Sequence, residues 1–267
     1  MALKPKQHWD TAEQYVESLT HWAAYVLLAR EFTRGMNVLE VGCGYGYGAN
    51  YLSDSVSAIT AIDINKEQLT FCRDEYQKNN LVFLQANGLN LPFKDNSFDL
   101  VLSFQVIEHI EPRYVAEYLS EIRRVMKKGG KFLVSTPNAR MRLLPFQKPW
   151  NPEHTKEYKD NELEKLLGRV FPETKVSGLC STSAAILDLE FHGRRPSVFR
   201  GYIAPFFAAI FGRFLPTSTF AVLKGLVRRI TKHPDLSPSK YGLLPEEEFL
   251  KELSLSDFNI DQTNTRD

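Results

Sequence analysis

Short apolar runs alternate with amphipathic segments along much of the chain. Five runs have the apolar and β-branched composition of buried strands, and each is bounded by glycine or polar residues. These runs are residues 38–41, 58–62, 81–84, 98–102 and 131–135. Because strands that alternate with helices form βαβ units, we expect an α/β fold whose mostly parallel sheet is covered by helices on both faces.

Helical periodicity fills the segments between the runs. An early pattern covers residues 10–32, and another begins after Asn65, an N-cap residue type with Gln68 three positions on. A third pattern has one apolar stripe made of Val115, Leu119, Ile122 and Met126. We expect this third helix to include residues 127–128 and to end at the glycine pair 129–130, with cations at its negative end.

Composition and net charge argue against several classes of protein. The 267 residues are 43% apolar and 24% charged, which is ordinary for a globular chain and excludes a disordered or fibrous one. A net charge of +1 offers no general basic surface, so we expect no nucleic-acid partner. Three cysteines without a C-x-x-C pair argue against a disulfide scaffold and a cysteine zinc site. Because the sequence has neither an apolar signal segment nor a membrane-spanning run, we expect a cytoplasmic protein.

The charged residues are unevenly distributed, because a basic block is followed by an acidic segment near the C-terminus. Residues 191–233 carry eight basic and no acidic side chains, whereas residues 234–267 carry eight acidic and three basic ones. Within the basic block, apolar residues recur at helical spacing at Phe220, Leu223, Val227 and Ile230. We consider two interpretations: a lid whose residues 194–232 touch an anionic membrane surface, and a helical cap packed on its own domain with its arginines paired to the acidic tail.

The candidate chemistry centres on a glycine loop after the first predicted strand. Glycine occupies every second position of residues 42–48, which lets the backbone turn sharply and approach a ligand, and we assign Gly48 to helix packing. One interpretation is a dinucleotide site, because residues 44–49 fit G-x-G-x-x-A and Asp63 follows at a suitable distance. A second is a site for a cationic ligand, because Glu40 precedes the first glycine. A tight turn without a ligand is the third.

Motifs further along the chain favour the second interpretation. They are VLEVGCGYG at 38–46, AIDI at 61–64, FLQANGLNLPF at 83–93, NSFDLVLSFQVIEHI at 96–110, LVSTPN at 133–138 and NPEHTKEY at 151–158. In this order they resemble the motifs of the class I S-adenosylmethionine-dependent methyltransferases. The likeness is closest to the type 11 branch, which includes quinone-biosynthesis and sugar methyltransferases, and it covers about residues 13–180.

The resemblance implies a fold and a division into domains. The fold is a Rossmann-like, doubly wound, mostly parallel seven-stranded sheet, and we place its last two strands near residues 174–178 and 254–260. Roughly seventy residues separate these two strands, far more than a hairpin needs, so we expect a helical insertion before the last strand. The domains are a core of residues 1–182 and 253–267, which includes the helical segment 10–32, and a basic helical cap of residues 183–252.

The resemblance also implies a function. The cofactor is S-adenosyl-L-methionine, and the partner is a small-molecule methyl acceptor. We favour methylation of oxygen over carbon and consider a lipid-linked or quinone-like acceptor. Two other functions stay open: a binding protein that keeps the cofactor without turnover, and an NAD-dependent oxidoreductase.

Eleven residues are implied as cofactor contacts. Asp63 accepts hydrogen bonds from the ribose hydroxyls or caps the following helix, and Glu40 contacts the amino end of the cofactor or organises the loop. The set is Tyr25, Glu40, Gly42, Gly44, Gly46, Asp63, Ile64, Asn87, Gly88, Ser103 and Gln105. Two positions depart from the family pattern: Asn87 replaces the usual aspartate, and Ala24 stands where an arginine often precedes the tyrosine.

Two histidines are candidate catalytic bases. His109 follows the fourth predicted strand and His154 follows the fifth, where open α/β sheets place their ligands. A histidine with a pKa near neutral can accept the proton of a hydroxyl nucleophile, and His109 is the first candidate. A structural role stays open for each of them, and the sequence predicts no metal site.

Overall fold

A computed structural model of the protein describes residues 21–29, 33–142, 148–149, 151–181 and 258–261. The helical pattern of residues 10–32 is therefore described only in part. The basic cap of residues 183–252, and the membrane contact considered for residues 194–232, lie outside the described residues. In the parts of the chain that are described, no helix has both the length and the apolar character that crossing a membrane requires.

Five strands form one parallel sheet, which confirms the α/β prediction. The strands are β1 Asn37–Val41, β2 Ala58–Asp63, β3 Leu81–Gln85, β4 Phe98–Phe104 and β5 Met126–Ser135. Their order is β3-β2-β1-β4-β5, and every neighbouring pair is parallel. The chain starts at the centre, moves outward through β2 and β3, and then crosses to β4 and β5. This is a doubly wound, Rossmann-like topology.

Six helices occur among the described residues. They are α1 at residues 21–29, of which Tyr25–Ala29 are π-helical, α2 Tyr47–Ser53, α3 Lys66–Glu75, α4 Val115–Val125, α5 Ala139–Arg142 and α6 Asp160–Gly168. A short 3-10 turn, Ile107–His109, follows β4.

Both faces of the sheet are covered, as predicted. Successive residues of a strand point to opposite faces. In β1, Val38 packs in one apolar cluster with Leu52 of α2, while Leu39 packs in a second cluster on the other face. The second cluster includes Leu119 of α4 and Leu163 of α6. Helices therefore pack on both faces of the sheet among the described residues, and the carboxyl ends of the strands form the edge that concerns function.

The prediction for the end of α4 is wrong. The helix stops at Val125, and Met126 is already extended (φ −78°, ψ 134°) and opens β5. Lys127 pairs with the neighbouring strand, because its Nζ lies 2.9 Å from both carboxylate oxygens of Asp99. The glycine pair 129–130 therefore lies inside β5, where the pairing of β4 with β5 shifts register, and does not cap the helix.

Of the seven strands predicted for the sheet, five form the parallel sheet described above. Two further strands, β6 Gly178–Ser181 and β7 Phe258–Asp261, form a separate antiparallel pair among the described residues. The sixth strand begins later than predicted. The hydroxyl of Thr174 donates to the carbonyl of Phe171 at 2.6 Å and keeps that part of the chain in a turn.

The packing of α1 on α2 depends on Gly48. A Cβ at this position would lie 2.2 Å from ring atoms of Tyr25, which is buried and packs edge-on against Tyr47 and Phe104. We therefore expect Gly48→Ala to lower the free energy of unfolding by about 1–3 kcal/mol, the usual range for overpacking. Urea titration measures this change.

Gly168→Ala is the matched control for this substitution. A Cβ at Gly168 meets nothing within 4 Å, so the control should unfold at the same urea concentration as the parent or slightly above it. A Gly48→Ala protein as stable as the parent would contradict the described packing of Tyr25.

Candidate active site

The glycine loop, residues 42–46, lies at the carboxyl end of β1, the strand from which the chain winds in both directions. Its first residue, Gly42, donates its N–H to the carbonyl of Ile62 in β2 at 2.8 Å. Gly42, Gly44 and Gly46 have φ values of 76°, 52° and 71°, in the left-handed region that favours glycine. The alternating glycines of the sequence therefore reflect the backbone that this turn requires.

The three glycines differ in what surrounds them. A Cβ at Gly42 would lie 2.4 Å from Val106, and one at Gly46 would lie 2.7 Å from the ring of Phe83. Side chains of the protein itself fill those two spaces. At Gly44 nothing lies within 4 Å. The open side of the loop is therefore at Gly44, and this is where a ligand can approach the backbone.

Asp63 is half-buried at the end of β2 and holds the loop in place. Its Oδ2 accepts a hydrogen bond from Gly44 N at 2.8 Å, and its Oδ1 accepts one from Asn65 N at 2.9 Å. The Asn65 side chain in turn accepts from the N–H groups of Glu67 and Gln68, which confirms the N-cap prediction. Each carboxylate oxygen of Asp63 has a further lone pair for a ligand hydroxyl. One side chain thus combines loop organisation with a capacity for ligand binding.

Glu40 lies beneath the loop in β1 and is 1% exposed. The hydroxyl of Tyr25, in α1, donates to its Oε1, whereas Oε2 is buried and has no hydrogen-bond partner among the described residues. Burial raises the pKa of Glu40 to about 7, although the hydrogen bond from Tyr25 opposes this rise. A buried carboxylate oxygen without a donor is costly, so its position favours a ligand that brings one.

Two predicted contacts, Gly88 and Ser103, lie against Tyr118, and a third, Asn87, directly precedes Gly88. Asn87 is exposed, and its Oδ1 accepts from Leu89 N at 2.9 Å, which leaves the amide NH₂ as a donor. A Cβ at Gly88 would lie 2.8 Å from the Tyr118 ring. The hydroxyl of Ser103 is fully buried and lies 2.6 Å from that of Tyr118. The side chain of Ser103 is therefore engaged in the core.

Gln105 and Ile64 directly follow β4 and β2, the two strands that neighbour β1. Gln105 has φ 56°, uncommon for a residue other than glycine, and its N–H donates to the carbonyl of Ser135 at 2.9 Å. Backbone held in this region costs free energy and often marks a functional site. Ile64 directly follows Asp63 and is 70% exposed, so it offers an apolar surface beside the carboxylate.

The two candidate bases lie next to each other. The rings of His109 and His154 have centroids 4.8 Å apart and are nearly perpendicular. His154 is buried, and its Nδ1 lies 2.9 Å from Oε1 of Glu157. His109 is exposed, and its Nδ1 lies 3.2 Å from the carbonyl oxygen of Glu153. The loops after β4 and β5 thus bring together two imidazoles that are 45 positions apart in the chain.

Sequence reasoning missed the carboxylates at this histidine pair. Glu108 is fully buried, and its Oε2 accepts from the hydroxyl of Thr136 at 2.9 Å. One potential ligand atom from each of Glu108, His109 and His154 lies within 4.8 Å of the other two, although the sequence predicts no metal site. Two features of the sequence could have indicated these carboxylates. Glu108 directly precedes His109, and Glu157 lies three positions after His154.

Comparison with known proteins identifies the domain. Residues 39–134, from β1 to the end of β5, match the family described as a methyltransferase domain. A Mycolicibacterium smegmatis protein named as an S-adenosylmethionine-dependent methyltransferase is 39% identical over 148 residues, 55% of this chain and 55% of that protein. A fatty-acid O-methyltransferase from the same species is 36% identical over 138 residues, 51% of this chain and 48% of that protein.

A solved structure supports the fold alone. A methyltransferase candidate from Bacillus halodurans superposes with a TM-score of 0.51 at 19% identity, over 74% of this chain and 87% of that one. The chain spans about half the length of the curated relatives it matches. Residues 39–134 match the methyltransferase domain family, and the sequence relatives are named as S-adenosylmethionine-dependent methyltransferases. This confirms the resemblance found in the sequence.

The pKa of Glu40 predicts how stability depends on pH. Between the ordinary pKa of 4.5 and about 7, the folded protein keeps a proton on Glu40 that the unfolded chain has lost. Stability therefore falls as pH rises through this window, by on the order of 3 kcal/mol. Glu40→Gln does not titrate, so its free energy of unfolding should fall less between pH 5 and pH 7.5, measured by urea titration at each pH.

The exposed Glu111, paired with Arg113, provides the control. Glu111→Gln should keep the pH dependence of the parent protein. A Glu40→Gln variant whose stability changes with pH as the parent's does would show that Glu40 titrates normally.

Proposed function

We propose that the protein transfers a methyl group from S-adenosyl-L-methionine to an oxygen atom of a small molecule. The observation that carries this proposal is a pair of carboxylates at the glycine loop, with Glu40 buried beneath it and Asp63 at its rim. The names of two relatives support the cofactor and the oxygen acceptor of this proposal. One is named for this cofactor, and another is named for methylating an oxygen of a fatty acid.

The charges at the loop fit this cofactor. Its ammonium group can donate to the buried Oε2 of Glu40, and its ribose hydroxyls can donate to Asp63. A dinucleotide would instead bring a pyrophosphate to the glycine loop. An ionised Glu40 beneath the loop opposes that negative charge. The arrangement therefore favours S-adenosylmethionine over NAD.

We assign the other side-chain contacts by position. Ile64 offers an exposed apolar surface for the adenine ring, and Asn87, next to Gly88, offers an amide donor for its edge. Tyr25 acts through Glu40, because its hydroxyl occupies Oε1 and leaves Oε2 for the ligand. Asn87 thus offers a donor where the carboxylate of the usual aspartate would only accept, and it carries no charge.

The backbone completes the proposed site. Gly44 leaves open space for the ligand, while Gly42 and Gly46 shape the loop around it. The strained backbone of Gln105, directly after β4 and near Ser103, borders the other side. Because these groups are set by strand ends and internal packing, they need little rearrangement when a ligand binds.

Bound S-adenosylmethionine supplies a methyl group activated by the sulfonium, and the protein orients and desolvates the nucleophile for an in-line displacement. We place the acceptor oxygen beside His109 and His154. These residues lie at the carboxyl ends of β4 and β5, the edge that also carries the glycine loop. Val106, next to the 3-10 turn, packs against Gly42 of the loop. Either an imidazole or a cation that both histidines hold can assist loss of the acceptor proton.

The segment before the last strand suits the acceptor side of the site. We assign the basic, amphipathic residues 194–232, within the cap of residues 183–252, to a lid over a lipid-linked or quinone-like acceptor and to peripheral contact with anionic lipid. We also infer that β6 and β7 continue the core sheet beyond β5, because Leu179 of β6 packs against the same apolar cluster as Leu133 of β5.

Binding of the demethylated product tests the cofactor assignment. We expect calorimetry to detect S-adenosylhomocysteine binding, and Asp63→Ala to weaken it by at least about tenfold, since a hydrogen bond to a charged group contributes about 1.5–3 kcal/mol. Asp54→Ala is the control, because Asp54 is exposed and pairs with Lys78 on the surface. Binding of NADH in place of S-adenosylhomocysteine would refute the assignment and favour an oxidoreductase.

Label transfer tests turnover and the acceptor class. Purified protein is incubated with methyl-labelled S-adenosylmethionine and a total cell extract, and the products are separated into organic and aqueous phases. We expect label in the organic phase, lost in Asp63→Ala and retained in Asp54→Ala. Label confined to the aqueous phase would exclude the lipid-like acceptor. Cofactor binding with no transfer to either phase would favour a binding protein without turnover.

A further inference from the structure

The cluster formed by Glu108, His109 and His154 is held together by main-chain contacts. The carbonyl of Glu108 accepts from Thr155 N at 2.7 Å and from Lys156 N at 3.2 Å. The hydroxyl of Thr155 donates to the carbonyls of Glu108 and Ile110, at 3.0 and 2.7 Å. The segment that carries His154 is therefore tied directly to the 3-10 turn that carries Glu108 and His109, so the geometry of the three side chains is set in advance.

Both histidines are oriented by an oxygen on the same ring nitrogen. The carbonyl of Glu153 can only accept, so Nδ1 of His109, 3.2 Å away, carries the proton. Oε1 of Glu157 lies 2.9 Å from Nδ1 of His154 and can likewise accept a hydrogen bond from it. A neutral ring of this tautomer carries its metal-binding lone pair on Nε2. A carbonyl or carboxylate behind the far ring nitrogen is the usual support of a metal-binding histidine.

Glu108, the third residue of the cluster, supplies the carboxylate. Glu108 is fully buried, and its Oε2 is oriented by the hydroxyl of Thr136 at 2.9 Å. Together the three residues offer one carboxylate and two imidazoles, with a potential ligand atom from each within 4.8 Å of the others. This donor set suits divalent first-row transition metals, because Mg²⁺ and Ca²⁺ prefer oxygen ligands throughout. Three protein ligands also leave coordination positions open.

We propose that Glu108, His109 and His154 bind one divalent transition-metal ion, and that an oxygen of the methyl acceptor occupies an open position on it. The second part rests on the proposed methyl transfer, whereas metal binding itself does not. A metal ion there would lower the pKa of the bound hydroxyl, so that its proton could pass to water. The oxygen would then form its bond to the methyl carbon as the bond from that carbon to the sulfonium breaks and S-adenosylhomocysteine leaves. His109 and His154 then serve as ligands, while Glu157 behind His154 and Thr136 behind Glu108 are positioning residues.

Cobalt binding to the full chain tests the site without any turnover. The protein is treated with a chelator and titrated with Co²⁺, and binding is followed by visible absorption and metal analysis. We expect one Co²⁺ per chain with no thiolate-to-cobalt band, since the cluster contains no cysteine. His109→Ala removes a ligand at an exposed position, so it should lose the site without loss of folding. Glu108→Gln should lose it as well.

Two further variants separate ligands from structural residues. Glu157→Gln should weaken Co²⁺ binding roughly 10- to 100-fold, the usual effect of removing the group behind a metal-binding histidine. Glu111→Gln, three residues from Glu108, exposed and paired with Arg113, should bind Co²⁺ as the parent does. Absence of stoichiometric binding, or binding that survives both His109→Ala and Glu108→Gln, would overturn the proposal.

The experiments can refute the metal site and the cofactor assignment independently of each other. S-adenosylhomocysteine binding without Co²⁺ binding would refute the metal site and leave the proposed methyl transfer in place. Co²⁺ binding lost in His109→Ala would support the metal site even if S-adenosylhomocysteine did not bind. If both proposals hold, a chelator should abolish label transfer and added Co²⁺ should restore it, while S-adenosylhomocysteine binding stays unchanged.

Discussion

The carboxylate of Asp63 joins three parts of the protein that the site needs in fixed relation. It ends β2, accepts the N–H of Gly44 in the loop after β1, and accepts the N–H of Asn65, which caps α3. Three glycines with positive φ make this loop flexible in the unfolded chain, and in the fold Asp63 restrains it together with main-chain bonds to Ile62. The hydrogen bond to Asp63 fixes the loop at Gly44, the position where open space lies beside the backbone.

The buried carboxylate of Glu40 makes the region beneath the loop less stable than an apolar side chain would. Burial of this carboxylate raises its pKa to about 7, and one of its oxygens lacks a donor among the described residues. A fold selected only for stability would place an apolar residue here. The fold instead fixes the other oxygen with the hydroxyl of Tyr25 and keeps Gly48 small so that Tyr25 fits. Stability is thus lower at the point where a cation is expected to bind.

Local pattern was sufficient for the sheet and the loop, but not for features set by distant contacts. β1 to β4 could be predicted because short apolar runs end at glycine or polar residues. The N-cap at Asn65 could be predicted because this side chain bonds to the helix that directly follows it. The end of α4 could not be predicted from the sequence, since it depends on the pairing of Lys127 with Asp99 of the neighbouring strand. The cluster around His154 was missed for the same reason: contacts that sequence spacing does not show tie Thr155 to the 3-10 turn after β4.

Proton release on cofactor binding tests the central claim most directly. S-adenosylhomocysteine is titrated at pH 6 in buffers of different ionisation enthalpy, for the parent and for Glu40→Gln. If the ammonium group meets Glu40, the carboxyl must lose its proton on binding, and about one proton should be released by the parent and none by the variant. Equal proton release from the two proteins, or no binding to the parent, would contradict the account.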